Sequence, residues 1–157
     1  MTRIYLTCVA IVAATAMTAA AAGAPNRVAL TGKSGCPLLT SAEVGAAIGE
    51  PVAKAQGGAS ATGAVFCNWY GNDKHLLQKG VSLIAATDNV QRRYKSYLPF
   101  LTKHLPLTGV GVAAVTDGSA ILARNGHAFI YIHPLYAHTA IPLAQIKGLA
   151  IRALGRT

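Results

Sequence analysis

Two dipeptides eight residues apart constrain this chain more than any other feature: Asp117-Gly118 and Asn125-Gly126, each set between apolar runs. Both suit the type I′ hairpin turn, whose two central residues need positive φ. Two such turns predict a three-stranded meander over roughly 111–116, 119–124 and 127–133. Two-residue loops would set Leu122 opposite Phe129 and Arg124 opposite His127, and in the first hairpin Val112 opposite Ala123 and Ala114 opposite Ile121. One face then carries Val112, Ala114, Ile121, Ala123, Ala128, Ile130 and Ile132, an apolar surface expected to lie under helices. The other carries Arg124, His127, Phe129, Tyr131 and His133 and is expected to stay open. Aromatic and Arg side chains are enriched at interface hot spots, so these five form a candidate binding face. A solvated sheet face with ordinary cross-strand aromatic pairs is the alternative.

The flanking segments supply the remaining elements. Thr40 with Glu43 three residues on makes a capping box for a short helix that Gly49 and Pro51 end. Gln56 to Gly63 reads as a Gly/Ala/Ser loop. Ala64 to Tyr70 alternates like a strand, and Val81 to Thr87 reads as its antiparallel neighbour. Asp88 is placed to cap a helix from about Asn89, with Val90, Tyr94, Tyr97, Leu98 and Leu101 on one face; Pro99 kinks or ends it. Pro142 falls in the first turn of a C-terminal helix. The order is α-β-β-α-β-β-β-α, which predicts an α+β domain: a single antiparallel sheet of about five strands with helices on one face.

The first 22 residues stand apart. Arg3, the apolar stretch from Ile4 to Ala16 and the small residues that follow read as a secretory signal peptide, cleaved after Ala20-Ala21-Ala22. Retention as an N-terminal anchor is the alternative, although the Ala- and Thr-rich second half inserts weakly. Cys8 lies too near the start to be a lipoprotein cysteine. The expected organisation is a signal peptide over 1–22, a flexible arm over 23–35 and one domain over 36–157, exported to the periplasm or beyond. No second apolar run of membrane length follows, so no stable membrane span is expected after processing. Cleavage leaves Cys36 and Cys67, an even pair that in an exported chain reads as a disulfide.

Charge narrows the function classes. Lys and Arg number 14 against 5 Asp and Glu, a net +9 in 157 residues. Five carboxylates exclude carboxylate-rich Ca²⁺ or Mg²⁺ cages and leave little for a two-carboxylate hydrolase. Arg92, Arg93, Lys95 and Lys103 form a candidate patch for an anionic partner, or a solubilising surface. Export disfavours nucleic acid and leaves an unknown protein or an anionic envelope component. His127 and His133, six residues apart on one strand, stand roughly 20 Å from each other and cannot share a metal; His133 and His138 make a weak pair. Asp117 and Ser119 beside a histidine suggest a triad, but a tight turn explains both. No cofactor or metal is expected.

The segment from Cys36 to Val52 (Cys-Pro-Leu-Leu-Thr-x-x-Glu-Val-x-x-x-Ile-Gly-x-x-Val), Cys67-Asn68-Trp69 and Gly109 to Ala113 resemble a family of small exported bacterial domains of unknown function, common on actinobacterial cell-envelope lipoproteins. The resemblance implies an α+β sheet with a disulfide from the first helix to the first strand, and no catalytic residues. This chain departs from the pattern by lacking a lipobox and by its strong basicity. The expectation is an exported, non-enzymatic binding domain of the cell envelope. The alternatives are an inhibitor or immunity-type protein that blocks an envelope enzyme, and a hydrolase using a histidine of the sheet face.

Overall fold

The computed structural model describes residues 30, 34–72, 79–136 and 140–157; the expected signal peptide, Asp73 and His138 lie outside the described residues. Helix α1 (Ser41–Ile48) follows a 3-10 turn at Cys36–Leu38 and leads into strands β1 (Val52–Ala59), β2 (Val65–Gly71) and β3 (Gly80–Ala86). Helix α2 (Val90–Tyr97) and a 3-10 turn at Leu98–Phe100 cross to β4 (Leu105–Pro106), β5 (Ala113–Thr116), β6 (Ile121–Arg124) and β7 (Phe129–Pro134); α3 (Leu143–Gly155) closes the chain. All strands form one antiparallel sheet in the order β1-β2-β3-β7-β6-β5-β4. The expected class holds, with seven strands among the described residues instead of about five.

Helices cover both faces, which corrects the expectation of one. On the first face α1 and α3 bury Val44, Ile48, Ile146, Leu149 and Ala153 against Leu83, Ile121, Ile130 and Ile132. On the second, Val90, Tyr94 and Tyr97 of α2 pack on Leu122, Phe129 and Tyr131. The physical reason is strand parity. Phe129 and Ile130 point to opposite faces, both are large and apolar, and each needs its own cover.

The added strands have local causes. β1 contains Gly57 and Gly58, which read as loop residues, yet each faces a bulky neighbour. Gly57 pairs with Cys67, and a Cβ there would collide with the Ser34 hydroxyl and come within 2.6 Å of Cys36 Sγ. Gly58 pairs with Phe66, whose ring sits 2.8 Å from where its Cβ would be. The neighbours' side chains therefore occupy the space that a β1 side chain would take. β4 is two residues long and contains Pro106, so no alternation announces it.

Both hairpins turn through four residues, not two. Arg124 pairs with Phe129 and Leu122 with Tyr131; Thr116 pairs with Ile121 and Ala114 with Ala123. The side chains opening each loop are the cause. Asp117 Oδ1 accepts from the backbone N–H groups of Ser119 and Ala120, and Asn125 Oδ1 accepts from those of His127 and Ala128. These Asx turns take in two more residues than a type I′ loop. The register shift is even, so every expected face survives except at Val112, which is 70% exposed, and at His127, which falls in the second loop.

Cys36 and Cys67 form a disulfide with Cα atoms 4.9 Å apart. For its 31-residue separation, chain entropy gives about 3–4 kcal/mol. Of the expected arm, 23–29 and 31–33 lie outside the described residues; Leu30 packs on the core, and the Gly35 N–H donates to Phe66 O at 3.0 Å. Asn89, with φ 48°, precedes α2 in the position expected for Asp88, whose carboxylate instead holds Arg93.

Helix α1 and the end of α3 meet at Glu43. Its carboxylate closes the capping box, accepting from the Thr40 N–H at 2.8 Å while Thr40 Oγ1 accepts from the Glu43 N–H. It also takes a two-pronged contact from Arg156 at 2.7 and 2.8 Å. Hydrogen bonding from Arg156 leads the causes that hold its pKa at about 2, down from 4.5. A carboxyl with a lowered folded-state pKa stabilises the fold above its unfolded value and loses that contribution as pH falls through the folded one. Wild-type stability in urea should therefore fall more steeply between pH 4.5 and 2 than that of Arg156→Ala; parallel curves would contradict the assignment.

Candidate functional site

The five residues of the expected open face do not form one. Phe129 is fully buried and Tyr131 is 9% exposed. Tyr97 of α2 lies on both, its ring centroid 4.9 Å from Phe129 and 5.5 Å from Tyr131. Arg124 is half-buried at the edge of α2, its guanidinium carbon 5.6 Å from the Tyr94 ring centroid; this is a cation–π contact. His127 is exposed in the second hairpin loop. His133 alone reaches the open part of the sheet. Amphipathic α2, with Tyr94 and Tyr97 one turn apart, is the cover that strand parity alone did not reveal.

The basic residues divide as well. Arg93 is engaged: it holds Asp88 at 2.8 Å and donates to the Thr62 carbonyl. Arg92, Lys95 and Lys103 are exposed and make no ion pair among the described residues. The Asp117 carboxylate is taken up by its turn, accepting from Ser119 Oγ at 2.9 Å besides the loop amides. Burial pushes its pKa up, but the Ala120 and Ser119 hydrogen bonds outweigh burial and hold it below the usual carboxylate value. Among the described residues no three His, Cys, Asp or Glu gather to hold a metal ion, and no helix is long and apolar enough to cross a membrane.

A different surface carries no helix among the described residues. α2 lies over β6 and β7, leaving the same face of β1, β2 and β3 beside it. Register places Gln56 opposite Asn68, Asn68 opposite Ser82, and Ser82 opposite His133. The result is a polar row, one residue from each of four adjacent strands, running roughly 14 Å at the usual strand spacing. Beside it lies a cavity of about 210 Å³ bordered by Phe66, Ile84 and Tyr97. Phe100, 65% exposed, lies 5.3 Å from Tyr97 between ring centroids.

The row is rich in hydrogen-bonding capacity. Gln and Asn amides both donate and accept. Ser82 is 6% exposed and lines the cavity. His133 Nδ1 is 2.8 Å from the Pro134 carbonyl oxygen; a carbonyl only accepts, so this nitrogen carries the proton and Nε2 is left as an acceptor. Burial leads the causes that lower the His133 pKa, so the ring is neutral at neutral pH. Asn68 stands in the alternation of the strand from Ala64 to Tyr70, and its parity is legible; Gln56 was hidden in a stretch that reads as loop.

Compared with protein-family models, curated proteins and solved structures, the chain gives no match.

Phe129 is thus a core residue. Phe129→Ala should cost about 3–5 kcal/mol in denaturant unfolding, whereas His127→Ala should change stability by less than about 0.5 kcal/mol. Equal, small effects would contradict the burial of Phe129 beneath α2.

Proposed function

We propose that this chain is an exported, non-enzymatic binding domain of the bacterial cell envelope, and that its contact surface is the part of the sheet beside α2. The observation that carries this reading is the row Gln56–Asn68–Ser82–His133, set next to an apolar and aromatic depression. Ligand sites combine these two features: a mostly apolar wall and a few converging polar groups that fix orientation. Export is supported by the Cys36–Cys67 disulfide, a bond favoured in oxidising compartments, and by the N-terminal pattern of the sequence. The likeness of its short motifs to exported envelope domains points the same way. The excess of cations, with Arg92, Lys95 and Lys103 exposed, favours an anionic partner.

The test is a titration of ¹⁵N-labelled mature protein with separated envelope fractions: glycan, lipid dispersed in detergent, and protein. At least one fraction should shift the amides of Gln56, Asn68, Ser82 and Tyr97, with an effect that weakens as salt rises. Shifts confined to α1 and α3, or none with any fraction, would overturn the reading.

A further inference from the structure

The two edges of the sheet are built differently. β4 is two residues long and includes Pro106, a short, proline-bearing edge of the kind that resists further strand pairing. β1 is the opposite edge. It is eight residues long with no internal proline and one charge, Lys54, and nearly all of it is exposed. A bulge interrupts its pairing between Val52 and Lys54, and the regular part beyond it, Lys54 to Ala59, presents roughly 20 Å of edge at about 3.3 Å per residue. Among the described residues it pairs only with β2, and no other backbone group bonds to it. Every second residue of such a strand therefore presents a free N–H and C=O outward.

A depression flanks this edge on each face. On the α1 side a groove of about 450 Å³ is lined by Ser41, Ala42, Gly45 and Ala46 of α1 and by Glu50, Pro51 and Val52. On the α2 side a second, of about 340 Å³, is lined by Lys54, Gln56 and Tyr70. Side chains of an added strand would alternate between the two. The first is walled mostly by small side chains, Ala42, Ala46, Pro51 and Val52 among them, and its one carboxyl, Glu50, disfavours an acidic side chain there. The second offers an ammonium group that has no ion pair among the described residues.

We infer that β1 is a strand-addition site for an extended segment of a partner protein, with acidic side chains on the Lys54 side and small apolar ones against α1. In this mode main-chain hydrogen bonds give affinity and the pockets for alternate side chains give specificity. Charge selects this occupant over a second copy, which would bring its own 14 cations against 5 acids. The inference rests on the reading of the chain as a binding domain and names the partner of its β1 end.

The probes are acetyl-(Glu-Xaa)₄-amide peptides with Ala, Val, Thr or Ile at Xaa, the Lys counterpart of each, and two N-methylated forms of the best binder, one methylated at the Glu residues and one at the Xaa residues. At least one acidic peptide should slow amide hydrogen exchange at alternate residues of Val52–Ala59. Its Lys counterpart and the variant Lys54→Glu should each bind at least tenfold more weakly. One N-methylated form should lose at least tenfold in affinity and the other keep it, because only one set of N–H groups faces β1. No protection by any acidic peptide, equal effects of the two methylations, or a dimer of the free protein that itself protects β1 would overturn the inference. If the envelope fractions shift Asn68 and Ser82 while every peptide is silent, the binding-domain reading stands and strand addition falls.

Discussion

The ladder between β3 and β7 holds the molecule together. The chain makes two meanders, β1-β2-β3 and β4-β5-β6-β7, and the second begins at the far edge and returns to the middle. Six residue pairs from Val81↔Pro134 to Ala86↔Phe129 join them. β7 is therefore the central strand, and its side chains anchor both layers: Ile130 and Ile132 under α1 and α3, Phe129 and Tyr131 under α2. The disulfide ties the Cys36–Leu38 turn onto β2, and the Glu43–Arg156 contact ties α1 to the end of α3, but both act on a sheet that this ladder unites.

The position of β7 also decides where binding can occur. A central strand in a sheet covered on both sides has little side-chain surface to offer a partner. The aromatic groups that read as a recognition face are used to seat α2. Because α2 is committed to β6 and the start of β7, no helix among the described residues lies on the same face of β1–β3, and the polar row, which His133 of β7 completes, and the β1 edge lie there.

The legible parts of the sequence were those in which local chemistry matches the final structure. Thr40 and Glu43 specify a helix start, and the structure contains both hydrogen bonds of the box. The face of Ile121, Ile130 and Ile132 follows from parity, and parity survived a two-residue error in each hairpin because the shift was even. The parts missed depend on distant partners. Gly57 and Gly58 form a strand because Cys36, Ser34 and Phe66 fill the space above them, a fact held 8 to 23 residues away. The cover over Phe129 depends on Tyr97, 32 positions earlier. Turn propensity at Asp117-Gly118 and Asn125-Gly126 predicts two-residue loops, whereas the side-chain oxygens of Asp117 and Asn125, each accepting two backbone N–H groups, set loops of four.

Native-state hydrogen exchange tests the central role of β7 most directly. Amides buried in a central ladder exchange only through global opening, while edges open locally. The slowest amides should be those of Leu83 to Ala85 and Ile130 to Ile132, with exchange free energies equal to that of global unfolding, and β1 and β4 should be the fastest strands. A slow core confined to β5 and β6, with β3 and β7 exchanging through local opening, would contradict the account.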